Sequence, residues 1–103
     1  MSRSVQPAKS ADATLLYQWD FTSLLQPSET ISNAFFSVSV YSGDDDFPSD
    51  ILSGSPSISG SVVSQLITGG VLGTVYSVDC NALTSLSQDI IISSFVSIIP
   101  DLI

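Results

Sequence analysis

The sequence predicts an all-β protein, a sandwich of two sheets built from about seven strands. Three observations carry that reading. Ser, Thr, Val and Ile dominate the chain, and β-branched residues favour pleated backbone over helix. No segment shows a sustained apolar stripe at 3.6-residue spacing, whereas alternation with period 2 recurs, most clearly where Tyr76, Val78 and Cys80 alternate with Ser77 and Asp79. Clusters of Gly, Pro, Asp and Ser cut the chain into short runs. At 103 residues it can build one hydrophobic core and not a second.

The elements follow in order. Residues 1–12 are polar, contain Pro7 and lack periodicity, so they are expected to form a flexible N-terminal arm, with residues 13–103 as the single domain. Leu15, Tyr17, Trp19 and Phe21 share one face opposite Gln18 and Asp20, which predicts a first strand ending before Leu24-Leu25-Gln26-Pro27. On that face Trp19 reads as a core residue rather than a sugar-stacking platform. A second strand begins near Thr30-Ile31 and runs through Tyr41 to an acidic turn, Gly43-Asp44-Asp45-Asp46-Phe47-Pro48. Serine-rich strands are expected over 55–59 and 61–68, a strand over 74–82, and one or two more over 88–99. Between 66 and 76 the run Leu-Ile-Thr-Gly69-Gly70-Val-Leu-Gly73-Thr-Val-Tyr76 reads as the corner where the chain passes between sheets. There Tyr76 would fold its ring inward and return its hydroxyl to the corner backbone, with Gly69, Gly70 and Gly73 supplying tight or positive-φ geometry. That corner specifies an immunoglobulin- or fibronectin-like sandwich.

The chemical inventory is sparse. Without histidine there is no Ser-His-Asp or Cys-His machinery and no histidine-based zinc site. The glycines at 69–73 precede a strand rather than a helix, so they do not form a phosphate-cradling loop. Cys80, the single cysteine, cannot make an internal disulfide and reads as a small buried hydrophobe. Asp44, Asp45 and Asp46 lack the alternating spacing of a dedicated calcium loop and read as a solvated acidic tip. No enzyme activity, cofactor or metal is expected. The formal net charge is −8; both cations, Arg3 and Lys9, lie in the first ten residues, and all the acids lie beyond them. A body without cations cannot neutralise phosphates, which argues against nucleic acid and anionic membrane as partners. No apolar run approaches the roughly 18 residues of a membrane span, and the first residues lack the apolar core of a secretion signal, so synthesis and retention in a cytoplasm are expected.

The order of residues resembles a family of small tailed-bacteriophage virion proteins. The resemblance is carried by Tyr17-x-x-Asp20-Phe21-Thr22-x-Leu24-Leu25, by Glu29-Thr30-Ile31-Ser32 with Phe35 or Phe36 and Val38 behind it, and by Gly69-Gly70-x-x-Gly73-Thr74-x-Tyr76-x-Val78. It covers about residues 13 to 96. The chain departs from the pattern at Phe21, where the family usually has tryptophan, in a long serine-rich middle over 41–61, and at Thr84-Ser85-Leu86-Ser87, which replaces a Gly-Arg-Thr-like turn. The resemblance implies an Ig-like structural protein of the virion, made in the host bacterial cytoplasm, that serves as a fiber-tail adaptor or a tail or neck component. Its partners would be other virion proteins and copies of itself. A capsid decoration or cement protein, and a glycan-binding module, are the alternatives. Sheet edges offer strand addition, and the arm, with Arg3 and Lys9, is expected to dock on the acidic body of an adjacent copy. The tail Ile98-Ile99-Pro100-Asp101-Leu102-Ile103 would either bury against a partner or complete the core.

Overall fold

The computed structural model describes residues 4–5 and 8–100, and it is all-β. Six long strands and two two-residue strands make two sheets: β1 (Ser4–Val5), β2 (Lys9–Ser10), β3 (Thr14–Asp20), β4 (Ile31–Ser42), β5 (Leu52–Ser59), β6 (Val62–Thr68), β7 (Val75–Thr84) and β8 (Asp89–Ile99). The larger sheet has the order β1-β8-β7-β4, with β2 also paired to β8, and the smaller has the order β3-β6-β5. The long strands pair antiparallel, whereas β1 and β2 pair parallel with β8. Single 3₁₀ turns, Thr22–Leu24 and Pro48–Ile51, are the helical elements among the described residues, and no helix is long and apolar enough to cross a membrane.

Alternation decides what is buried. On β7 the side chains of Tyr76, Val78, Cys80 and Ala82 are fully enclosed, and they meet Val96 and Ile98 of β8 and Ile31 and Ala34 of β4. The small sheet covers them with Tyr17, Trp19, Val63 and Ile67, and Phe21 and Ile51 close the ends. Trp19 sits at the centre of this interface. Its indole packs edge-on against Phe36 at 4.8 Å, and its Nε1–H donates to Ser94 Oγ at 3.0 Å. Ser94 donates in turn to the Val78 carbonyl at 3.2 Å, so the indole nitrogen has its acceptor inside the core. Leu15, expected on the inward face with Tyr17 and Trp19, is 38% exposed at the outer part of the strand.

A buried glutamine repairs the small sheet. The pairing of β5 with β6 shifts between Ser53 and Ser57, which leaves backbone carbonyls without ladder partners. The Gln65 amide, almost fully buried, donates to Ser53 O, Gly54 O and Leu66 O at 3.0–3.2 Å. Gly54 takes φ +72 at the centre of that irregularity.

Residues 8–10 do not hang free. β2 extends the large sheet beside Ile98 and Ile99, and Lys9 is 1% exposed. The expectation of a detached flexible arm over residues 1–12 therefore gives way to a segment that is partly sheet. Its run is too short to show a period, and the pairing comes entirely from β8. The tail through Ile99 likewise belongs to the sandwich, with Ile98 in the core; residues 101–103 lie outside the described part.

Candidate functional site

One end of the sandwich gathers the glycine corner, the acidic loop and the N-terminal strand. Gly69, Gly70 and Gly73 all take positive φ, at +62, +102 and +84. Gly70 has a second reason to be glycine, because a Cβ there would lie 2.8 Å from the Ile98 side chain and 3.3 Å from the Tyr76 ring. The Tyr76 hydroxyl accepts a hydrogen bond from Val71 N at 2.9 Å and donates to Asp45 Oδ2 at 2.5 Å. One phenol thus ties the corner to the acidic loop. Gly43, at φ +109, lets the same loop approach Thr74, whose Cα would be 2.8 Å from an added Cβ.

The electrostatics follow from these contacts. Burial and the neighbouring Asp45 carboxylate push the Tyr76 phenol up to about 12. Hydrogen bonds from Tyr76 and from Phe47 N hold Asp45 below the usual carboxylate range. Lys9 donates to Gly69 O at 2.6 Å and to Ser10 O at 2.7 Å, so its ammonium is held by backbone carbonyls of its own domain. Burial pushes Lys9 below the ordinary lysine range, and Asp12 opposes that shift. Lys9, expected with Arg3 to dock on an adjacent copy, is thus engaged within its own domain; Arg3 lies outside the described residues. Cys80, fully buried, has its thiol pushed up to about 12 by desolvation.

Within Asp44, Asp45 and Asp46, Asp45 is spent on Tyr76 and on Phe47 N. Among the described residues no group of three His, Cys, Asp or Glu side chains is placed to share a metal ion. The other acids in the recurring motifs are structural as well. Asp20 accepts from Thr22 N and from the Thr22 hydroxyl, which in turn meets Ser61 Oγ at 2.6 Å. Glu29 accepts from Gln26 N at 2.8 Å and from the Thr84 hydroxyl, joining the start of β4 to the end of β7. These motif residues hold loops to strands.

Residues 9–96 match the family model described as podophage GP4 fiber-tail adaptor protein gp77. The chain belongs to this family. It is a family of bacteriophage tail structural proteins, and the match begins at Lys9 and so includes β2. No curated protein matches the chain. The family resemblance seen in the motifs at 17–25, 29–38 and 69–78 falls inside the matched span, and the structure gives each motif a physical task.

What remains available for partners is surface. β4 ends the large sheet, and among the described residues no strand pairs with its outer side over the twelve residues Ile31–Ser42. At the corner end Phe47 and Leu72 are more than half exposed, on the two loops that meet at the Tyr76 hydroxyl. These exposed apolar residues were not legible in the sequence, since turn segments carry no period from which to infer burial.

The corner bond makes a direct prediction. Tyr76→Phe leaves Val71 N and Asp45 without the phenol and is expected to lower stability by about 1–2 kcal/mol with the fold intact. A urea midpoint equal to that of the wild type would show that the corner bond contributes nothing.

Proposed function

We propose that this protein is a fiber-tail adaptor of a podophage virion, joining the tail to fibers or to neighbouring tail and neck components. The observation that carries this reading is the family match over residues 9–96. Family membership indicates the setting, and the surface suggests the means. The open edge of β4 offers a neighbour twelve residues of backbone for strand addition, with exposed Phe35 and Tyr41 beside it for side-chain specificity. The loop end with Phe47 and Leu72 offers an apolar contact at one tip of the domain. In this reading the chain occurs in several copies around the tail, since repeated contacts between identical subunits close into rings.

The same reading makes the protein non-enzymatic and free of cofactors. The absence of histidine, the enclosure of Cys80 and the commitment of Lys9 to backbone carbonyls support it. The acidic body supports protein partners over nucleic acid or anionic membrane.

Location in the particle tests the proposal. Purified virions labelled on this chain and imaged by electron microscopy are expected to carry label in a ring at the tail, at the base of the fibers. Label distributed over the capsid with icosahedral symmetry would instead make it a decoration protein and overturn the adaptor reading.

A further inference from the structure

The fold finishes the two edges of the large sheet differently. At one edge β1 and β2 pair with β8, and the inward side chains of β8, Ser94, Val96 and Ile98, are 2% exposed or less. At the other edge no strand among the described residues pairs with the outer side of β4, and β5 of the small sheet lies beside it without joining it. There the inward side chains Phe36, Val38 and Val40 stay partly exposed, although their register partners on β7, Cys80, Val78 and Tyr76, are fully buried. One row of the core is left half covered. An edge that stays free usually carries protection, in the form of charge, proline, a bulge in mid-strand or brevity. β5 has Gly54 at φ +72, Pro56 and a register shift in its middle, and β3 is seven residues long and ends on Asp20. β4 lacks these devices: its twelve residues Ile31–Ser42 include no charge, proline or glycine, and its register shifts lie near its two ends.

Length, parity and charge select the occupant. A second copy of this chain brings a neutral strand of the same length. Run antiparallel about a two-fold axis and centred on Ser37, it sets Phe36 against Val38, and Ala34 against Val40, of the other copy, so the half-covered row is completed by its own counterpart. The outward residues then match as well, Phe35 with Ser39 and Asn33 with Tyr41. The chain has formal net charge −8, and Asp44, Asp45 and Asp46 follow directly on the end of β4. Antiparallel pairing holds the two acidic loops about a strand length, roughly 40 Å, apart, well beyond the Debye length of about 8 Å, whereas a parallel pair would bring them together. A basic partner finds no carboxylate on this strand. We propose that β4 pairs antiparallel with β4 of a second copy and joins the two large sheets into one. One strand pair buries less than the roughly 1,600 Å² of a standard interface, so the chain is monomeric when dilute and pairs where copies are crowded. The inference rests on the adaptor reading for that crowding alone. A two-fold contact stops at two copies, so a ring around the tail is assembled from pairs through another surface.

The test follows the full chain by sedimentation across a concentration series. The wild type is expected to pass from monomer to dimer and no further, with little effect of salt. Phe35→Lys with Ser39→Lys, and Phe35→Glu with Ser39→Glu, alter exposed outward positions that face each other in the pair, and each double variant is expected to weaken the dimer about tenfold. An equal mixture of the two restores it, because opposite charges then meet across the contact. Leu16→Lys with Leu86→Lys adds the same charge at exposed sites elsewhere and leaves the dimer unchanged. Circular dichroism shows whether each variant is folded. Should the edge variants fail to fold, hydrogen exchange on the wild type decides, and amides within residues 33–41 are expected to gain protection as concentration rises. A wild type that is monomeric at every concentration, a dimer indifferent to both double variants, a mixture of folded variants that stays apart, or protection gained elsewhere would overturn the proposal. A wild-type dimer made by a protein absent from purified virions would sink the adaptor reading and leave the β4 pair standing. Label at the tail from a protein that never dimerises would do the reverse.

Discussion

Trp19→Ala is expected to remove about 3–5 kcal/mol of stability, the range for deleting a large aromatic side chain from a core. Domains of this size hold about 5–15 kcal/mol in total, so the variant is expected to sit near its unfolding threshold at room temperature. Two losses combine at this position. The indole is a large contact between the sheets, touching Phe36 edge-on and lying 6.4 Å from Tyr17 of its own strand, so its removal leaves a cavity among close-packed neighbours. It is also the donor to Ser94 Oγ, whose hydroxyl is fully buried. Trp19→Phe separates these effects, because it keeps most of the volume and removes the donor, and it is expected to cost about 1 kcal/mol beyond its smaller packing loss. Urea denaturation followed by circular dichroism reads both. A Trp19→Ala midpoint close to that of the wild type would mean that the two sheets are not held together at this point.

How much of this was legible in the sequence depends on the reach of the interaction that fixes each residue. Tyr17, Trp19, Tyr76 and Val78 lie on strands long enough for period 2 to show, and their burial follows from parity alone. The start of β4 at Ile31 and its passage through Tyr41 were likewise marked by the turn residues on either side. By contrast, β1 and β2 are two residues each and exist because β8 has a free side to pair with, which no local pattern announces. Lys9 runs against the rule that lysine stays in water, because its stem lies in the fold and two carbonyls hold its head. Gln65 does the same at the bulge of β5, where the need for a donor arises only after the register has slipped. Asp45 was visible as one of three acids, but its bond to Tyr76 spans 31 residues and depends on Gly43 letting the loop approach Thr74.

Deleting residues 1–12 is expected to convert a stable domain into one that self-associates. The deletion removes the pairings Ser4↔Ser94, Val5↔Phe95, Lys9↔Ile98 and Ser10↔Ile99, together with the bond from Lys9 to Gly69 O at the corner. Burial of about 0.8 kcal/mol per methylene of the lysine stem, and about 0.5–1.5 kcal/mol per lost hydrogen bond, put the loss at about 2 kcal/mol or more after the entropy of ordering the segment is subtracted. The larger consequence lies in what is uncovered. β8 is eleven residues long and rich in isoleucine, and without β1 and β2 its outer side becomes a free edge of the kind that pairs with other chains. Lys9→Met keeps most of the stem and is expected to lower the urea midpoint without this association, because the β2 backbone still covers the edge. Sedimentation distinguishes edge pairing from an arm that docks by charge: pairing through backbone bonds and apolar contact persists as salt is raised, whereas contacts made by Arg3 on an acidic neighbour weaken within the Debye length. A truncated chain that stays monomeric, with the midpoint of the full-length protein, would show that the N-terminal strands add nothing to the sandwich. Salt-sensitive association of the full-length chain that disappears on truncation would return residues 1–12 to the role of an assembly arm, with Arg3 rather than the enclosed Lys9 as its cation.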